Sequence, residues 1–164
     1  MYPTGNESVR RRVIAALLDM TAEKPDLSIW QWAAQNVDFS RASNYDTPIK
    51  GPYDPEWMPM WKEPAEAITD PDIREVIVLK SSRAGGSENL LLNAIRYAIA
   101  EKPQPTLYVT GDQSSAERMM MNRIKRSMPC APACRREYKK ARVTEHEIQF
   151  PAMDFRVTWP KSKQ

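Results

Sequence analysis

The feature that most constrains this chain is the run Glu75-Val76-Ile77-Val78-Leu79, which opens directly into Lys80-Ser81-Ser82-Arg83-Ala84-Gly85-Gly86-Ser87. A short β-branched run suits a strand buried on both faces, and the small residues after it suit a tight loop. Beyond the loop, Leu90, Leu91, Ala94, Ile95, Ala98 and Ile99 keep helical spacing as far as Glu101, where Pro103 and Pro105 close the segment. Thr106-Leu107-Tyr108-Val109-Thr110 reads as a second strand and residues 114–128 as a second helix. Strand, loop, helix, strand and helix in this order predict an α/β fold with a mainly parallel sheet flanked by helices. Near the end, residues 147–150 and 155–159 alternate around Pro151-Ala152-Met153-Asp154, as the two arms of a hairpin do.

Upstream the pattern changes. Val9, Val13, Ala16, Leu17 and Met20 predict a helix over residues 7–24, stopped by Pro25, and Ser28 stands as N-cap of a second one reaching about Val37. Residues 1–37 are therefore expected to form a small helical docking segment. Residues 38–64 hold six prolines and glycines among Tyr45, Tyr53, Trp57 and Trp61, which predicts an extended connector with rings packed on the domain surface. Residues 65–164 make the α/β portion. With 164 residues there is room for one ordinary domain, and no apolar run approaches the roughly 18 residues of a membrane helix. The first residues lack the basic-then-apolar pattern of an export signal, so a cytoplasmic, membrane-free protein is expected. Cys130 and Cys134 have only His146 to join them, too few for a zinc site, and are expected as free thiols.

The loop can be tested against the phosphate-binding pattern G-x-x-x-x-G-K-[ST], in which backbone N–H groups cradle phosphates, a lysine reaches the β/γ oxygens and the hydroxyl holds magnesium. With Ser87 as the hydroxyl, Gly85 falls on the second glycine, Lys80 on the first and Gly86 on the lysine. Lys80 and Arg83 are available to restore the lost charge from the same loop. A plain Gly-Gly turn between strand and helix explains the same residues. Charge adds a second site. Between residues 116 and 142 stand Arg118, Arg123, Lys125, Arg126, Arg135, Arg136, Lys139, Lys140 and Arg142 against Glu117 and Glu137, a segment of +7 that leaves the rest at −4. Such an excess attracts a phosphate backbone, or simply forms a solvated face.

The residues Ile73-Arg74-Glu75-Val76-x-Val78-x-Lys80-Ser81-x-Arg83-x-Gly85-x-Ser87 resemble the phosphate-loop region of large terminase subunits of tailed phages, of the lambda-like type. That family tolerates lysine at the start of the loop and a non-lysine residue before the serine. The resemblance extends more weakly through Trp30, Trp32, Ala33 and Tyr45, and through Thr106-Leu107-Tyr108 to the hairpin. It implies the front of a P-loop ATPase domain that binds ATP and Mg2+ and powers movement of double-stranded DNA into a capsid. Residues 80–87 would cradle the phosphates: Lys80 and Arg83 as cations, Ser81, Ser82 and Ala84 as loop, Gly85 and Gly86 for close approach, Ser87 on magnesium. Tyr45 matches the family's adenine-stacking tyrosine, although Asp46 stands where glutamine is usual; Tyr53 is a second candidate. Partners implied are the small terminase subunit at the N-terminal helix, a portal or procapsid, and further copies in a ring. The acidic strand end and glutamate that hydrolysis needs, and the nuclease domain, are not found in these residues. The expectation is an incomplete domain with no catalytic residues of its own, turning over little ATP alone. A non-enzymatic adaptor with a vestigial loop, or another P-loop ATPase such as a helicase, are the alternatives.

Overall fold

The computed structural model describes residues 9–10, 26–45, 47 and 50–160. Of the expected helix over residues 7–24, only helical Val9 and Arg10 fall among them, so that docking element lies outside the described residues. Helix α1 (Ile29–Asn36) begins where Ser28 was expected to cap it, and the Gln31 side chain reaches back to accept the Ser28 N–H at 3.0 Å. It buries Ile29, Trp32 and Ala33. The Trp32 ring meets Tyr97 edge-on at 5.9 Å, so α1 shares one core with the later elements rather than standing apart.

The connector is ordered by its own backbone. Phe39 donates to the Gly51 carbonyl and Tyr53 to that of Val37, both at 2.8 Å, and single 3-10 turns occupy Phe39–Arg41, Pro55–Trp57 and Pro59–Trp61. Of the four rings expected to pack on the domain, Tyr45, Tyr53 and Trp61 are buried, as is Phe39, whereas Trp57 is 47% exposed and does not pack as expected. Helix α2 (Lys62–Thr69) follows.

Helix α3 covers residues 87–100: a π-wound opening, Ser87–Leu92, passes into the regular turns Asn93–Ala100. Strand β1 (Thr106–Val109) leads to α4 over residues 113–127, which carries a second π-wound stretch, Met119–Ile124. Helix α5 (Pro132–Tyr138) takes up the stretch around Cys134; sequence periodicity did not reveal it. Strands β2 (Arg142–Val143), β3 (Glu147–Gln149) and β4 (Asp154–Thr158) complete the sheet, with β3 and β4 forming the expected hairpin.

Two expectations are corrected. The sheet order is β1-β4-β3-β2, and only β1 with β4 is parallel, so the sheet is mixed rather than mainly parallel. The hairpin causes this, because β4 lies along β1 and forces its own partner to run the other way. Residues 75–79 are not a strand. A strand exists through its ladder, and none of the described strands pairs with them. Ile77 is 84% and Leu79 101% exposed, the opposite of the expected burial.

Candidate functional site

The connector grips the loop at residues 80–87 from below. The buried Trp61 indole donates to the Ala84 carbonyl at 2.9 Å, and a Cβ on Gly86 would lie 2.7 Å from that ring. Gly85 has φ +75°, and its Cβ would meet the Met58 sulfur at 2.3 Å. Asn89 closes the other side by donating to the Gly85 carbonyl at 2.9 Å. Arg83 is the one described non-glycine residue with positive φ, 62°. Residues forced into this region cost about 1–2 kcal/mol and gather where ligands are held. Left-handed Gly85 followed by right-handed Gly86 is the backbone alternation that forms an anion-binding nest.

Above the loop opens a cavity of about 380 Å³ lined by Lys80, Arg83, Gly85, Gly86, Ser87, Glu88, Asn89, Thr47, Met58 and Arg123. Ser87 starts a helix of 14 residues, so its N–H and hydroxyl sit at a positive dipole end. Among the described residues, the cavity's one carboxylate, Glu88, is already committed. Its Oε1 accepts from the fully buried Arg96 guanidinium at 2.8 Å and its Oε2 from the Tyr45 hydroxyl. Arg96 also donates to Asn93 Oδ1 at 2.7 Å. Burial, and next the Glu88 charge, push the Tyr45 hydroxyl well above its ordinary pKa, so it stays a donor. Lys80, Arg83 and Arg123 have no ion-pair partner among the described residues. With its acid neutralised, the cavity is left cationic. Asn89 Oδ1, also buried, has no hydrogen-bond partner among the described residues.

The structure thus brings together five of the expected phosphate-loop residues, Lys80, Arg83, Gly85, Gly86 and Ser87, while Ser81, Ser82 and Ala84 do not line the cavity. The expected ring stack is not presented. Tyr45 is 2% and Tyr53 4% exposed, Tyr45 bonded to Glu88 and Tyr53 edge-on to Phe39 at 6.3 Å, so neither offers a face to a base. Sequence reasoning missed Glu88, Asn89, Asn93 and Arg96, a polar stripe at helical spacing inside an apolar helix.

The basic residues divide. Arg135, Arg136, Lys139 and Lys140 surround a second cavity of about 530 Å³ and are joined there by Arg41 from the connector. Arg123 faces the loop cavity instead. Lys125 donates to the Thr144 carbonyl at 2.8 Å, Arg118 to the Ser115 hydroxyl at 3.1 Å, and Arg126 is exposed. Cys130 and Cys134 are buried free thiols, their pKa values raised by burial to about 11 and about 12, which keeps them protonated and inert.

No helix among the described residues is long and apolar enough to cross a membrane. No curated protein and no solved structure matches the chain. Residues 47–163 match the family described as phage terminase large subunit gpA, ATPase domain. That span contains the whole lining of the loop cavity, from Thr47 to Arg123, and the sheet behind it. A cationic cradle on a helix start and a family match over most of the sequence agree, and the chain belongs to the terminase large-subunit ATPase-domain family.

Proposed function

We propose that the cavity over residues 80–87 binds the triphosphate of ATP with Mg2+, and that nucleotide turnover in the packaging motor begins here. Membership of the family gives an ATPase domain of the viral DNA-packaging machinery. The observation that carries the finer reading is the set of three cations, Lys80, Arg83 and Arg123, with no ion-pair partner among the described residues, around a helix start where Glu88 is already neutralised by Arg96. This donor set fits a polyphosphate. Lys80 and Arg83 hold phosphate oxygens, the nest at Gly85 and Gly86 and the N–H of Ser87 bind through the backbone, and the Ser87 hydroxyl is the magnesium ligand. When bound, magnesium neutralises charge between adjacent phosphates. Glu88 acts through Arg96 and Tyr45 as the anchor that fixes the first turn of α3, and it is not free to serve as a base.

Double-stranded DNA is the partner proposed for the cavity of Arg41, Arg135, Arg136, Lys139 and Lys140, whose acid partners among the described residues are Asp38, with Arg41, and Glu137, with Arg136 and Lys140. Titration of the chain with a fluorescent ATP analogue tests the nucleotide reading. Wild type should saturate, and the double variant Lys80→Ala, Arg83→Ala should lose at least about tenfold in affinity, since a charged hydrogen bond is worth about 1.5–3 kcal/mol. Equal binding by both proteins would refute it.

A further inference from the structure

The cavity is lined on one side by the loop with the start of α3, on another by Thr47 and Met58 of the connector, and from α4 by Arg123 alone. Arg123 is exposed, has no ion-pair partner among the described residues, and lies beside the Tyr45 hydroxyl that in turn binds Glu88. Both helices are π-wound where they face the cavity: Ser87, Glu88 and Asn89 lie in one such stretch and Arg123 in the other. Such turns are rare and concentrate at functional sites, because the extra residue redirects side chains. An arginine fork also matches phosphate oxygens two at a time, which a lysine cannot do.

We infer that Arg123 is a phosphate ligand of this cavity, delivered from α4 opposite the loop, and that it holds the distal, Ser87-side end of the polyphosphate. The inference rests on the nucleotide reading above. Placement follows from its neighbours: Arg123 lies beside the Tyr45 hydroxyl, which binds Glu88, the residue after Ser87, and the Ser87 hydroxyl would hold the magnesium that accompanies the terminal phosphates. Arg123 is thereby set apart from Arg135, Arg136, Lys139 and Lys140, which line the other cavity.

The test compares the ATP and ADP analogues on wild type, Arg123→Gln, Arg123→Lys, and the Lys80→Ala, Arg83→Ala double variant, with duplex DNA binding measured on each. Arg123→Gln should lose about tenfold in ATP affinity and clearly less in ADP affinity, with lysine restoring part of the loss and duplex affinity changing less than twofold. Because Arg123 is exposed, folding of the variant is checked by an unchanged urea midpoint. ATP affinity within twofold of wild type, or equal losses for both nucleotides, would overturn the inference. If Arg123→Gln is silent while the double variant fails to bind, only this inference falls; if the double variant binds normally, the nucleotide reading falls with it.

Discussion

Gly85 and Gly86 are adjacent and small for different reasons. Gly85 needs a positive φ, and its nearest obstacle is the flexible end of Met58. Gly86 has an ordinary φ of −60°, and what excludes a side chain is the rigid ring of Trp61. Gly86→Ala should therefore lower stability by about 1–3 kcal/mol, the usual cost of overpacking. Adding Trp61→Phe should recover part of that loss; additive losses in urea midpoints would show that the ring is not the obstacle. The same contact makes Trp61 a reporter. Filling the loop cavity should shift indole emission, and Trp61→Phe should remove most of that shift although four other tryptophans remain. Deeper in, Arg96→Ala strands the Glu88 carboxylate in the interior, and breaking a buried pair from one side costs about 3–5 kcal/mol. A loss below about 1 kcal/mol in denaturation would mean that the pair is solvated, as surface pairs are.

Helix α4 is started by Asp112, whose carboxylate accepts from the Ser115 N–H at 2.9 Å and from the Ser114 and Ser115 hydroxyls at 2.7 and 2.8 Å. The Ser114 bond first, then those from Ser115, hold its pKa at about 2. A depressed acid stabilises the fold above its ordinary pKa, near 4, and that contribution is lost as pH falls through about 2. Asp112→Ala should accordingly be less stable than wild type at neutral pH, with the gap closing between about pH 4 and pH 2; a gap constant across that range would refute the cap. The helices were legible because caps and apolar spacing are local: Ser28 stands before α1 and Pro103 after α3 as expected, and the hairpin turn expected at residues 151–154 is one residue shorter, since β4 already starts at Asp154. What was not legible depends on neighbours. Residues 75–79 have strand composition without a ladder, and α5, with Pro132 in its first turn, where proline is accepted, is too short to show an apolar period. The loop and its cations could be read from residues 80–87, whereas Arg123 is on the site only because α4 packs across it.

Across the whole molecule, one hydrophobic core runs from Ile29 to Val157 and ties the connector to the sheet, so the two cationic cavities ride on a common body. Their ligands should nonetheless be separable by salt. Each arginine or lysine contact to duplex phosphate carries a salt slope of about −0.9, so Arg135→Ala with Lys139→Ala should flatten the dependence of duplex affinity by about 2. Unchanged slopes would remove that face from the DNA-binding surface. Residues 75–79 have a further consequence. A strand-like stretch with solvated isoleucine and leucine and no paired neighbour strand among the described residues makes an adhesive seam. Concentrated samples should scatter light and coarsen with time, and lysines at positions 77 and 79 should keep them clear without altering nucleotide affinity.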